Sequence, residues 1–231
     1  MRRKYLSVPL SRRETIWGLI YLGLELMVLP TVLYYLTALL FPDASEAASN
    51  FLYYLVNFLA VCLIFSRFLG KNLSAAARRP LSVLLYSAAG LCLYWLSSMA
   101  MQELTYRLMP DFSNVNDNAI AQISRDGYFL MAVGTVVLVP TAEECLFRGA
   151  IFRGIYDRSR FGAYLVSALS FSAIHVIAYI GLYDISLLAM CLVQYLPAGL
   201  ILAWCFERSG TIFTPILIHT VNNAIGIYSM R

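Results

Sequence analysis

The chain has 231 residues, 60% of them hydrophobic and only 13% charged, with a mean hydropathy of +0.70. A soluble domain must wet its surface, so this mix excludes one and points to the membrane. The formal net charge of +4 is explained by membrane orientation, as its distribution shows below, and no nucleic-acid partner is expected.

The opening stretch 1–13 is basic and precedes an apolar run of about 25 residues, too long for a signal-peptide core and with no small-x-small cleavage site after it. It is expected to stay as a first spanning helix. A crossing takes roughly 20 apolar residues, and seven stretches meet or approach that length: 16–41, 51–69, 81–101, 128–156, 161–180, 186–206 and 211–228. The gaps are short and no linker-like tract separates them, so an all-α, polytopic bundle of about seven membrane helices is predicted. The polar connection 102–127 carries Tyr106, Leu108, Met109, Phe112 and Ile120 among its charges; it reads as a surface amphipathic helix or a re-entrant piece, which would make eight. Residues 1–127 hold no functional motif, whereas 128–231 hold four predicted helices and every candidate site residue.

Lys and Arg gather on the cytoplasmic side of short loops, and here they alternate. Arg2, Arg3, Lys4, Arg12 and Arg13 lie at the start, Arg67, Lys71, Arg78 and Arg79 between spans two and three, Arg153, Arg158 and Arg160 between four and five, and Arg208 between six and seven. The other connections carry Asp43 and Glu46, then Glu103, Asp111, Asp117 and Asp126 with only Arg107 and Arg125, then Asp184. The expectation is a multi-pass cell-membrane protein with the N-terminus cytoplasmic and the C-terminus outside. The five cysteines (Cys62, Cys92, Cys145, Cys191, Cys205) are odd in number, mostly within apolar runs and without a CxxC pair, so they read as packing residues.

An ionisable side chain at membrane depth is costly unless it faces protein or water, and each one is a site hypothesis. Span four carries Glu143, Glu144 and Arg148 in PTAEECLFRG, span five His175 in FSAIH, and span seven His219, Asn222 and Asn223 in HTVNN. Glu25 and Asn57 stand alone. Both histidines of the chain fall in predicted spans. A single intramembrane histidine is ordinarily a packed, hydrogen-bonded residue, and a Glu–Arg pair ordinarily holds helices together; their convergence argues for a shared site. Residues four apart share a helix face, so Glu144 and Arg148 pair within one helix, His219 and Asn223 present an imidazole beside a carboxamide, and Phe171 walls His175. Glu143 points about 100° away from Glu144, toward a cavity. Depth brings Glu143 and His219 to the cytoplasmic half, with His175 farther out unless its helix begins late or tilts.

These residues resemble the CPBP family of intramembrane proteases, the CAAX proteases and bacteriocin-processing (Abi) enzymes. Its EExxxR motif matches Glu143, Glu144 and Arg148, its FxxxH motif Phe171 and His175, and its HxxxN motif His219 and Asn223. The resemblance spans about 80 residues and implies an endopeptidase in which Glu143 and His175 activate water, His219 with Asn223 stabilises the oxyanion, and Glu144, Arg148 and Phe171 support them. The family has been described both as glutamate-type and as metal-dependent. One divalent metal, zinc first, on Glu143, His175 and His219 is the alternative to a metal-independent mechanism, although no HExxH helix is present. GxGD and GxSG are absent too, which sets aside aspartyl and rhomboid types. The partners implied are the lipid bilayer and a membrane-associated peptide or protein substrate. Two other readings stay open: a non-catalytic membrane partner that confers immunity or modulates a sensor protein, and a proton-coupled transporter.

Overall fold

A computed structural model describes Leu6 and residues 8–230; Arg2, Arg3 and Lys4, part of the basic start, lie outside the described residues. The chain is all-α, a membrane helical bundle, and among the described residues no strand forms. Its helices are α1 (Arg12–Met27), α2 (Leu29–Leu40), α3 (Glu46–Ile64), α4 (Ser66–Arg78), α5 (Pro80–Leu108), α6 (Val115–Tyr156), α7 (Arg160–Ile174), α8 (Ile185–Ser209) and α9 (Phe213–Ser229). Their outer surface is a belt of large apolar side chains, among them Trp17, Leu63, Leu81, Phe129, Phe161 and Ile185, as lipid contact requires.

Four helices, α3, α5, α6 and α8, are long and apolar enough to cross a bilayer, and the bent pair α1 and α2 makes a fifth if it counts as one span. By length and composition, four or five of the described helices qualify as spans, beside the seven stretches read from the sequence. The predicted span 16–41 is broken, with α1 and α2 meeting at 57°, because Pro30 in the first turn of α2 cannot supply the N–H that would continue the ladder. The predicted span 161–180 shortens to the 15 residues of α7, about 22 Å long against a hydrocarbon layer of roughly 30 Å. At 17 residues α9 is also short. Between spans two and three, read as a loop, the chain forms α4, which buries Phe68, Asn72 and Ala75 and leaves Arg67 and Lys71 exposed.

The polar connection 102–127 resolves into three parts. Its first residues extend α5 to Leu108, a short turn follows, and Asn114 caps the start of α6 by accepting from the Asn116 and Asp117 N–H groups. Thus α6 runs 42 residues, roughly 60 Å at the usual rise, with one break at Gly127, whose backbone is extended. Farther along, Gly134–Leu138 and Cys145–Arg153 wind as wide π-type turns on either side of Val139–Glu144. Pro140 explains the first of these. It has no N–H and its ring crowds the carbonyl four residues back, and a wider turn relieves both.

The main core joins the two halves of the chain. Val61, Phe65 and Phe68 from α3, α4 and the joint between them pack with Cys145, Leu146 and Phe152 of α6 and with Ala203, Phe206 and Ile212. Glu14 of α1 caps α4 by accepting the Phe68 N–H at 2.8 Å. Glu207 is anchored at the same end of the bundle by Arg160, Tyr156 and Tyr164. The α7–α8 crossing is set by Gly199, where a Cβ would stand 2.9 Å from the Ala168 Cα and 3.2 Å from its carbonyl oxygen. Gly199→Val is therefore expected to destabilise the bundle by about 1–3 kcal/mol, the usual cost of overpacking, read as a lower midpoint of thermal unfolding in detergent; an unchanged midpoint would refute the close crossing.

Candidate active site

Glu144 lies at the centre of the polar cluster. Its side chain and that of Arg148 are fully buried, and Arg148 Nη1 donates to Glu144 Oε1 at 3.1 Å. His219 Nδ1 lies 3.0 Å from the same oxygen. Because a carboxylate only accepts, the geometry assigns the Nδ1 proton to the imidazole, which leaves Nε2 facing away from Glu144. Arg148 Nη2 then donates to the Gly199 carbonyl at 3.2 Å, and its guanidinium lies 4.4 Å from the centre of the Phe171 ring. Charge, hydrogen bonding and a cation–π contact together hold an ion pair where water is absent.

One residue earlier, the helical rotation turns Glu143 out of this cluster. It lines a chamber of about 820 Å³ together with His175, His219 and Asn223. Glu143 Oε2 stands 4.0 Å from His219 Nε2, too far for a direct hydrogen bond but close enough for one oxygen atom to touch both groups. His175 is the C-terminal cap of α7 and not an interior helical residue. This corrects its placement within a span: α7 ends at Ile174, so the imidazole projects where the chain turns over the chamber. His175 Nδ1 donates to the Phe171 carbonyl at 2.8 Å, which leaves its Nε2 as an acceptor. Its ring stacks on Tyr195 with centroids 4.2 Å apart. Both imidazoles pack on Phe171, at 4.9 Å for His175 and 5.8 Å for His219. The Asn223 amide donates to the Thr135 carbonyl at 2.8 Å, within the wide turn made by Gly134–Leu138, and one amide hydrogen remains for another acceptor.

The candidate metal ligands Glu143, His175 and His219 all line the chamber. Among the described residues no three His, Cys, Asp or Glu side chains are grouped as ligands of one ion, so the donors present do not make a ready-formed site.

Several chamber contacts escaped the sequence reading. Glu25 and Asn57, isolated in the sequence, meet through Asn57 Nδ2 donating to Glu25 Oε1, and Tyr53 OH reaches the same oxygen at 3.4 Å. Asn222 donates to Tyr94 OH at 3.1 Å. From the polar connection, Asp117 and Asn114 accept from Tyr195 OH at 2.9 and 3.3 Å, which fixes the ring under His175. The only sequence signal was the cost of Glu25 and Asn57 at membrane depth; Tyr195 and Tyr94 looked like any interfacial aromatic residues.

Taken together, the fold and site define a multi-pass membrane protein with a Glu–His–Asn chamber between its helices. Residues 125–225 match the model of the family described as Type II CAAX prenyl endopeptidase Rce1-like. The matched stretch, which is less than half of the chain, carries Glu143, His175, His219 and Asn223. No match is found among the curated proteins or the solved structures.

Arg148→Ala leaves the Glu144 carboxylate buried without its cation and is expected to cost about 3–5 kcal/mol of stability, measured as loss of folded protein on heating. Survival of the variant at wild-type stability would mean that the pair does not hold the core.

Proposed function

We propose that the chain is an intramembrane endopeptidase that hydrolyses a peptide bond of a membrane-associated substrate. The observation that carries the proposal is the 4.0 Å separation of Glu143 Oε2 and His219 Nε2 across a chamber that His175 and Asn223 also line. Glu143 and His175 activate a water. Its proton passes to the Glu143 carboxylate as its oxygen forms the new bond to the scissile carbonyl carbon. His175 Nε2, oriented by the Phe171 carbonyl, accepts the second hydrogen bond of that water and so fixes its attack direction.

The oxyanion falls to His219 and Asn223. Glu144 holds the imidazole at Nδ1 with Nε2 toward the chamber, where an Nε2–H donates to the developing charge. The remaining Asn223 amide hydrogen does the same. Such donors act strongly where water is scarce, because they need no reorganisation. Collapse of the intermediate breaks the C–N bond, and the proton held by Glu143 passes to the leaving amine. Glu144 and Arg148 lie outside the chamber lining and hold the imidazole and the α6–α8 contact, while Phe171 packs on both imidazoles at the chamber wall.

The test is mass spectrometry of membrane peptides exposed to purified protein. New peptide termini are expected with the wild type, and Glu143→Ala is expected to reduce their rate by about 10²–10⁴-fold while the folded yield stays the same. Unchanged processing in the stably expressed variant would remove the peptidase reading and leave a non-catalytic membrane partner. Treatment with a strong divalent-metal chelator is expected to leave the rate within about twofold; a loss restored by zinc would instead establish a metal enzyme using the same glutamate.

A further inference from the structure

The chamber has a definite side. Its lining includes Ser49 and Asn50 near the start of α3, Met101 and Gln102 toward the end of α5, Asn116 and Asp117 at the start of α6, and Ser229 and Met230 at the end of α9. All of these helix ends lie on one face of the bundle. Glu143 and His219 form the floor. Beneath the floor, toward the opposite face, come the Glu144–Arg148 pair and the core around Phe152 and Phe206.

The two faces differ in charge. Asp117 lines the chamber itself, and at or next to the helix ends on its side of the bundle come Asp43, Glu46, Glu103, Asp111 and Asp184, with Arg107 paired to Glu103 at 2.6 Å. At the closed face, among the described residues, stand Arg12, Arg13, Arg67, Lys71, Arg78, Arg79, Arg153, Arg158, Arg160 and Arg208. The acids there are engaged: Glu14 on Ser11 and the Phe68 N–H, Asp157 on Arg153, and Glu207 on Arg160. Basic residues in short loops stay on the cytoplasmic side, so this asymmetry orients the molecule. Field lines from an acidic rim around a low-dielectric cavity attract cations.

Resting on the peptidase reading above, we infer that the chamber opens away from the cytoplasm and takes a cationic peptide presented at the extracytoplasmic half of the bilayer. Cleavage is thereby confined to substrates that have already crossed or inserted. The basic face keeps the catalytic carboxylate out of reach of cytoplasmic peptides.

Sidedness is read without reference to catalysis by labelling intact cells with a membrane-impermeant, charged maleimide. The full chain is used, carrying Asp43→Cys beside the mouth, Ser98→Cys or Asn50→Cys within the chamber wall, or Lys71→Cys on the closed face, with the parent protein giving the background from its own cysteines. The first three are expected to label in intact cells and Lys71→Cys only after permeabilisation. The reverse pattern overturns the orientation, and labelling of Asp43→Cys alone, with neither chamber cysteine reacting in a variant that still cleaves peptide, overturns the opening. In detergent, a substrate flanked by Lys is expected to be cleaved at least about tenfold more efficiently than its Glu-flanked counterpart at low salt, with the ratio shrinking as salt rises; equal rates overturn the cationic preference. If labelling follows the expected pattern while Glu143→Gln still processes peptides, the sidedness stands and the peptidase reading alone fails.

Discussion

The Glu144 carboxylate is fully buried in a chain whose surroundings are lipid, and most of the site follows from what neutralises it. An isolated charge at that depth is costly by many kcal/mol. One oxygen, Oε1, takes both Arg148 and His219, and the arginine spreads its remaining contacts over the Gly199 carbonyl and the Phe171 face. Four helices, α6, α7, α8 and α9, are thus tied to a single carboxyl group. Burial of that group forces their convergence, and the convergence makes the chamber.

Glu143 inherits its position from this arrangement. Adjacent residues on a helix diverge by about 100°, so fixing Glu144 inward turns Glu143 to the side where α9 presents His219. The wide turns on both sides of Val139–Glu144 shift the register of α6 locally, and π-type turns recur where helices carry function. Here one of them also frees the Thr135 carbonyl to hold Asn223. Pro140 thereby links backbone geometry to the orientation of a proposed oxyanion donor three helices later in the chain.

The walls of the chamber come from elsewhere. The family match begins at residue 125, yet Glu25, Asn57, Tyr53 and Tyr94 from α1, α3 and α5 line the cavity. Asn114, Asn116 and Asp117 at the head of α6 line it as well. The proposed reacting groups therefore lie within the matched stretch, while much of the chamber wall comes from residues outside it.

Composition and hydropathy alone determined that the chain is helical and membrane-embedded, because long unbroken apolar runs satisfy their backbone in lipid as helices, whereas a barrel needs short alternating segments. The i, i+4 spacing likewise determined the Glu144–Arg148 pairing and the outward turn of Glu143, since both depend only on the pitch of one helix. The sequence did not reveal where helices break or stop: Pro30 permits a bend without setting its 57° angle, and the end of α7 before His175 and the run of α6 back to Val115 depend on which groups supply hydrogen-bond partners. Nor did it show which lone polar residues meet. Glu25 and Asn57 are 32 positions apart, and Asp117 and Tyr195 are 78 apart. Contacts between helices are set by packing in three dimensions, which no periodicity along a single strand of sequence encodes.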